Sequence, residues 1–323
     1  MVESKPKQKA ELKNKSPNSK SLGRRLLKCW PFYIMALPAV VYFVINNYIP
    51  MSGLILAFEK YTVKGGIWGS EKVGLNNFKF LFRSSDSWLI IRNTLLYNLT
   101  FIVLGTIIAI LVAYLLHELK SNISRKIYQT VILFPGLLSV IIVSYLANAL
   151  LAGDTGFINT HILQPLGLEP VSFYSEQKWW PFILTFVHFW QMTGTNCILY
   201  LANMSAIDPG LYEAASLDGA SRFKCLTSIT VPCLVPTIIT MTILSVGKIF
   251  NSDFGLFYQV PMNSGALIDV TQTIDTYVYR GLMNNANMGM SAAACFYQSV
   301  VGFCLVMITN AVVRRISSEN AMF

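Results

Sequence analysis

The sequence predicts an all-α polytopic membrane protein with six transmembrane helices, and three observations carry that prediction. Only 13% of the 323 residues are charged and 54% are hydrophobic, whereas soluble domains carry about 25% charged residues. The apolar residues fall into six runs, near residues 32–58, 94–116, 131–151, 182–202, 231–250 and 292–312. A helix needs roughly 20 residues to cross a hydrocarbon core of about 30 Å, and each run supplies them. None alternates between apolar and polar positions as the strands of a membrane barrel do, which leaves helices as the spanning structure.

Before the first span, residues 1–30 hold nine basic side chains (Lys5, Lys7, Lys9, Lys13, Lys15, Lys20, Arg24, Arg25 and Lys28) against Glu3 and Glu11. Such a segment cannot bury a core and reads as a disordered cytoplasmic tail. The first span is too long, and its charged leader too extended, for a cleavable signal, so it reads as a permanent anchor. Pro38, Pro50, Pro135 and Pro236 fall in or beside spans, where kinks are tolerated if neighbours satisfy the freed carbonyls. Lys120, Arg125 and Lys126 follow the second span, Arg222 and Lys224 the fourth, and Arg314 and Arg315 the sixth. The positive-inside rule then puts both termini and the loop after the fourth span on the cytoplasmic side of the membrane. The net charge of +9 is accordingly a topology signal, and nucleic acid is not an expected partner.

The longer loops, near 59–93, 152–181 and 251–291, lie on the opposite face, and none is large enough for a separate soluble domain. Residues 31–316 are therefore expected to form one membrane domain, followed by a short tail at 317–323. Trp179 and Trp180 read as interfacial anchors, and the loop after the second span as a plain connector. The six cysteines show no paired spacing, so neither a disulfide nor a zinc site is indicated.

The loop at 203–228 has a derivable structure. Asp208 is a good N-cap, Pro209 fits the first helical position and Gly219 suits a helix stop, which predicts a helix of two to three turns. Ala214, Ala215, Gly219 and Ala220 would let another surface approach closely, while Glu213 and Asp218 offer charges for pairing with Arg or Lys. No Gly-x-x-x-x-Gly-Lys-Ser/Thr run occurs anywhere, so any ATP must be handled by a partner.

Glu213-Ala214-Ala215, Gly219, Ile229 and Val231-Pro232, at their spacing, resemble the docking-loop signature of ABC importer permeases, with Val231 where the signature usually has Leu. The preceding Ile207-Asp208-Pro209-Gly210-Leu211-Tyr212 is similar to the form used by carbohydrate importers of the maltose-transporter type. Tyr48-Ile49-Pro50-Met51, the 66–70 and 73–78 segments and Ile274-Asp275-Thr276-Tyr277-Val278-Tyr279-Arg280 resemble a subfamily that imports complex, often uronic-acid-containing oligosaccharides. The resemblance runs from about residue 30 to the end. It implies a type I ABC importer permease fold, a second homologous permease subunit, a cytoplasmic ABC ATPase dimer that binds ATP and Mg, and an extracytoplasmic solute-binding protein. Asp208, Glu213, Ala214, Ala215, Asp218, Gly219 and Pro232 would couple to the ATPase.

Secondary transporters place carboxylates inside the membrane to couple ions, and no span here holds one. Lys248, at a span edge, reads first as a snorkelling side chain. For a sugar path the neutral polar and aromatic residues are the candidates: Trp190, Gln191, Thr193, Asn196 and Tyr200 of the fourth span, Asn148 of the third, and Tyr297 and Gln298 of the sixth, which could meet those of the fourth. On helical spacing Gln191 and Thr195 share a face, as do Thr193, Asn196 and Tyr200. The same side chains could equally be interhelical glue. His188 stands alone and forms no metal triad. Outer-loop Asp275 and Arg280 could touch the binding protein or the sugar, or simply be solvated.

The resulting expectation is a non-enzymatic permease subunit of an ATP-driven oligosaccharide importer that holds no cofactor and sits in membrane lipid. A permease for another solute, such as a peptide or an amino acid, an ion-coupled transporter and an integral-membrane enzyme are the alternatives.

Overall fold

The computed structural model describes residues 30–79, 82, 86–285 and 287–316. The basic tail up to Cys29, the basic residue Arg83 and the closing segment 317–323 lie outside the described residues. The chain divides at Gly53 into two units. In the first, helix α1 (Trp30–Phe43) contains Pro38 and runs on through a π turn, Val44–Tyr48, and a short helix, Ile49–Met51. It buries none of its residues.

In the second unit, α2 (Ser87–His117) and α5 (Trp180–Met204) are the central pair. Gly105, Ala109 and Ala113, four residues apart on α2, present the small-residue face that lets membrane helices approach closely; a Cβ on Gly105 would meet the Phe189 ring of α5 at 3.6 Å. Three buried clusters are strung along α2. Ile90 packs with Phe250, Ile274 and Ala294; Tyr97 and Phe101 pack with Val143, Trp180, Leu184 and Phe257; Ala109, Ile110 and Ala113 pack with Tyr200, Met204 and Leu234. Because α2 contributes to all three, it is the spine of the unit.

The apolar run at 131–151, expected as one span, is broken. Helix α3 (Asn122–Leu133) continues as a 3-10 turn, Phe134–Leu137, and meets α4 (Val140–Leu151) at 94°. Pro135 cannot propagate an α-helix in register, Leu138 is extended at ψ 135°, and Ser139 restarts the helix by accepting the Ile142 N–H at 3.4 Å. The bend lies against α5 at two glycines. A Cβ on Gly194 would sit 2.7 Å from the Ile132 carbonyl carbon and 2.9 Å from the Leu133 Cα, and one on Gly136 would sit 3.0 Å from the Gln191 carbonyl oxygen.

Nor is the segment after α2 a plain connector. Ser121 caps α3 by accepting the Ser124 N–H at 3.3 Å. The Arg125 guanidinium reaches back to donate to the carbonyls of Leu116, His117 and Leu119 at 3.1, 3.0 and 3.1 Å. A cation on the unpaired carbonyls at the end of α2 satisfies both their hydrogen bonding and the helix dipole.

Helix α6 (Pro209–Leu217) follows α5, and α7 (Val231–Val246) is entered through a short helix, Arg222–Cys225, and a π turn, Leu226–Thr230. Pro232 has no N–H to give the preceding turn, and the wide π turn just before it absorbs that defect. Beyond α7, residues 251–267 fold back into the unit and bury Leu256, Phe257, Val260 and Leu267. Helices α8 (Ile274–Asn285) and α9 (Met288–Ile316) complete it, with Gly302 of α9 in backbone contact with Gly247. A two-residue antiparallel pair, β1 (Glu59–Lys60) and β2 (Glu71–Lys72), closes the loop after the first span.

Among the described residues, the helical runs Trp30–Phe58, Ser87–His117, Arg222–Val246 and Met288–Arg315 are each long and apolar enough to cross a membrane, and the bent pair adds a fifth. The sixth expected span is α5, whose 25 residues would reach roughly 37 Å but carry too many polar side chains to qualify on apolarity. Trp180 is not an interfacial anchor: it is fully buried and donates its indole N–H to the Phe173 carbonyl at 2.7 Å.

Candidate functional site

Helix α6 forms between the cap and stop that the sequence marks. The Asp208 carboxylate accepts the Gly210 N–H at 2.9 Å, with Pro209 in the first turn. At the far end Ala220 N–H donates to the Ala215 carbonyl at 2.9 Å and Gly219 N–H to the Ser216 carbonyl at 3.1 Å, the paired 6→1 and 5→2 bonds of a Schellman cap. Gly219 adopts φ +75°, a left-handed conformation that costs other residues about 1–2 kcal/mol. Apart from its chain neighbours, no atom of the described residues lies within 4 Å of a Cβ built there, so among them glycine is required by its backbone angle and not by packing.

The helix buries none of its residues. Leu217 is 90% exposed, Phe223 just beyond the helix 73% and Leu211 48%. Glu213, Ala214 and Asp218 also face outward, while Ala215 is half-buried. One side chain ties the helix down: the Tyr212 and Thr230 hydroxyls share a hydrogen bond of 2.9 Å, and burial pushes the Tyr212 hydroxyl above its usual range, which keeps it neutral. Tyr114 near the end of α2 donates to the Arg222 carbonyl at 2.9 Å, and Arg222 faces Glu118 at 3.6 Å. The hydrogen bonds of Tyr212 and Tyr114 connect α6 and its exit to the foot of α7 and the last turn of α2. Pro232 lies beside that foot, on α7, and not on α6.

Between α2, α5 and α7 lies a cleft of about 520 Å³. Asn98, Phe101 and Thr106 line it from α2, His188, Thr195, Asn196 and Tyr200 from α5, and Ser245, Lys248 and Asn251 from the end of α7 and beyond. The His188 and Phe101 rings stack at 3.7 Å with 7° between planes. Asn98 donates from its amide nitrogen to the carbonyls of Ile249 and Asn251 at 2.9 and 3.0 Å, fixing the turn that carries Lys248. Asn98 lies eleven residues, or roughly 17 Å of helical rise, from the Ser87 end of α2. Lys248, two residues past the end of α7, therefore lines this polar cleft beside α2, a placement that its reading as a snorkelling side chain did not include.

Of the predicted path residues, only Asn196 and Tyr200 line this cleft. Gln191 is buried and donates to the Leu138 carbonyl at 3.4 Å, bracing the bend. Trp190 and Thr193 face an apolar recess with Ile108, Val112, Val131 and Pro135, so Thr193 does not share the lining of Asn196 and Tyr200. Asn148 is half-buried on α4, away from the cleft. Tyr297 and Gln298 do not meet α5: Tyr297 stacks edge-on against Phe250 at 5.7 Å, and Gln298 donates to the Phe250 carbonyl at 2.8 Å and to Asp275 at 3.1 Å. Asp275 also accepts from the Ser252 N–H and hydroxyl at 2.6 and 2.8 Å, which makes it a structural acceptor. Arg280 donates twice to the Asn263 amide oxygen, at 3.1 and 2.9 Å, and lies over the Tyr258 ring. Sequence reasoning missed Asn98, Ser245 and Asn251 altogether; the readable signal for the cleft was the one lysine at the end of an apolar run.

A transmembrane bundle with an exposed, doubly capped helix and a polar cleft has the parts of a transport subunit. Residues 102–318 match the family described as "Binding-protein-dependent transport system inner membrane component", and the chain belongs to that family. It is 33% identical to the polygalacturonan/rhamnogalacturonan transport system permease protein YteP of Bacillus subtilis (strain 168) over 306 residues, covering 95% of this chain and 94% of the relative. Protein LplB of the same organism is 33% identical over 288 residues, covering 89% and 90%. Among solved structures, a chain of a bacterial alginate ABC transporter, in complex with an alginate pentasaccharide-bound periplasmic protein, superposes with a TM-score of 0.81 at 32% identity, covering 92% of this chain and 98% of that one. The type I ABC importer permease fold expected from the docking loop is thereby established, and the chain is a membrane transport subunit.

Proposed function

We propose that this subunit forms the sugar path of an ATP-driven oligosaccharide importer together with a second, homologous permease, and that α6 receives the stroke of a cytoplasmic ABC ATPase dimer. The observation that carries the coupling is the state of α6: it is closed by caps at both ends, tied to the bundle by Tyr212, and still presents Leu211, Leu217 and Phe223 to its surroundings. A rigid helix transmits displacement where a floppy loop would absorb it. Asp208, Gly219 and Pro232 keep its shape and its entry into α7, while Glu213, Ala214, Ala215 and Asp218 meet the ATPase, which binds the ATP and Mg. Docking on a cytoplasmic ATPase sets the orientation, with both termini inside and residues 31–316 as one membrane domain. A solute-binding protein delivers the sugar from the other face.

Support for an oligosaccharide comes from the relatives, whose names specify polygalacturonan, rhamnogalacturonan and the acidic polysaccharide alginate, and from a cleft lined by amides, hydroxyls and stacked rings. A peptide or amino acid permease draws no comparable support from either. The test is Glu213→Lys in the assembled complex. Stimulation of ATP hydrolysis by the sugar-loaded binding protein should be lost while the complex still forms; normal stimulation would remove Glu213 from the coupling contact.

A further inference from the structure

We propose that Lys248 is a carboxylate-recognising residue in the translocation path, and that together with the stacked Phe101–His188 pair it forms a subsite for a uronate ring. The inference rests on the oligosaccharide reading above and names the chemistry that this cleft selects. Lys248 is exposed to the cleft, and among the described residues it has no acidic partner within 4 Å. A lysine that lines a cleft among apolar helices without an internal counter-ion is where the anionic group of a ligand would be met.

The geometry supplies one. Asn98 clamps two carbonyls just after the lysine, those of Ile249 and Asn251, so the ammonium is carried by a fixed backbone and not by a mobile loop. Across the cleft the face-to-face stack of Phe101 and His188 lines an aromatic wall against which the C–H face of a pyranose can pack, while the Asn196 amide and the hydroxyls of Thr195, Tyr200 and Ser245 suit its ring hydroxyls. Asp253, whose charge acts on His188, accepts the Leu256 N–H at 3.1 Å and caps its own turn. A cleft of about 520 Å³ lies within the usual size of small-molecule sites, roughly 300–1,000 Å³. A single flexible point charge also suits a carrier, because transport requires a site that holds its ligand and then releases it.

The assembled importer, with its ATPase and binding protein in proteoliposomes, should be assayed with trigalacturonate as the acidic probe and a neutral trisaccharide as the control. Lys248→Gln should lower trigalacturonate uptake about tenfold, the size of one lost charge-assisted contact, and Lys248→Arg should restore most of it. Both variants should co-purify with the second permease and the ATPase at the parental yield, which separates a lost contact from a lost subunit. Parental uptake by Lys248→Gln, or an arginine variant as impaired as the glutamine one, would overturn the inference. If the parental importer carries the neutral trisaccharide and not trigalacturonate, the carboxylate inference falls while the oligosaccharide reading stands. If it carries no oligosaccharide at all, both fall.

Discussion

The docking helix and the cleft are built by opposite means. Helix α6 is made almost entirely from neighbours in sequence: Asp208 caps Gly210, and Ala215 and Ser216 receive the bonds that close the helix at Gly219 and Ala220. The cleft is made from residues far apart in the chain, Asn98, His188, Asn196 and Lys248, brought together because α2 and α5 pack along small side chains and α7 ends beside them. One site is therefore robust to distant change and fragile to local change, and the other is the reverse. Substitutions that injure one region and spare the other are the sharpest way to examine that contrast.

The largest effect is expected at Gly194, which touches neither ligand nor partner in the proposals above. Its Cβ would enter the backbone of the bent segment at Ile132 and Leu133, and backbone cannot rotate away as a side chain does. Gly194→Leu should prevent the bend from seating on α5 and leave little assembled complex. Gly194→Ala should cost about 1–3 kcal/mol, the range for overpacking a close-packed interior, read as a lowered unfolding temperature in detergent. An alanine variant as stable as the parent would mean that the bend is not pressed against α5. The docking helix, held by its own caps, should keep its conformation in either variant.

The same contrast explains what could be read from the sequence. Six apolar runs establish membrane helices because apolarity over about 20 residues is a local, summed property. They say nothing of direction, so the 94° bend within 131–151 went unread, although Pro135-Gly136 followed by Ser139 contains the stop and the new cap that cause it. The caps of α6 were legible because Asp208 and Gly219 act within a few residues of themselves. The cleft was only half legible: Asn196 and Tyr200 follow from a helical wheel, but a wheel cannot say which face meets α2. That is why Gln191, Thr193 and Gln298 proved to be a brace, a recess residue and a loop anchor. Trp180 looked like a boundary aromatic and is instead a core residue, because its indole N–H finds a carbonyl inside the protein.

Within α6, Gly219 separates two effects that the sequence could not. With φ at +75° and no atom of the other described residues within 4 Å of a Cβ beyond its chain neighbours, Gly219→Ala and Gly219→Leu should carry the same backbone strain, about 1–2 kcal/mol, and destabilise the isolated subunit equally. In the assembled complex the leucine should reduce sugar-stimulated ATP hydrolysis well beyond the alanine, because only the larger side chain would keep the ATPase surface away. Equal activity of the two variants would show that the ATPase does not approach the end of the helix, and parental transport by the leucine variant would remove Gly219 from coupling.

The smallest expected effect lies where the two regions are joined. Tyr212→Phe removes the hydroxyl that bonds to Thr230 at 2.9 Å and leaves the ring beside His117, 5.9 Å between centroids. A neutral hydrogen bond of this kind contributes about 1 kcal/mol, so the subunit should fold, assemble and bind its ATPase normally. If Tyr212 is the tie through which movement of α6 reaches the foot of α7, transport per ATP hydrolysed should fall while stimulated hydrolysis stays near parental. A parallel fall in both rates would instead place the hydroxyl in docking, and no change in either would mean that the ring packing alone carries the stroke.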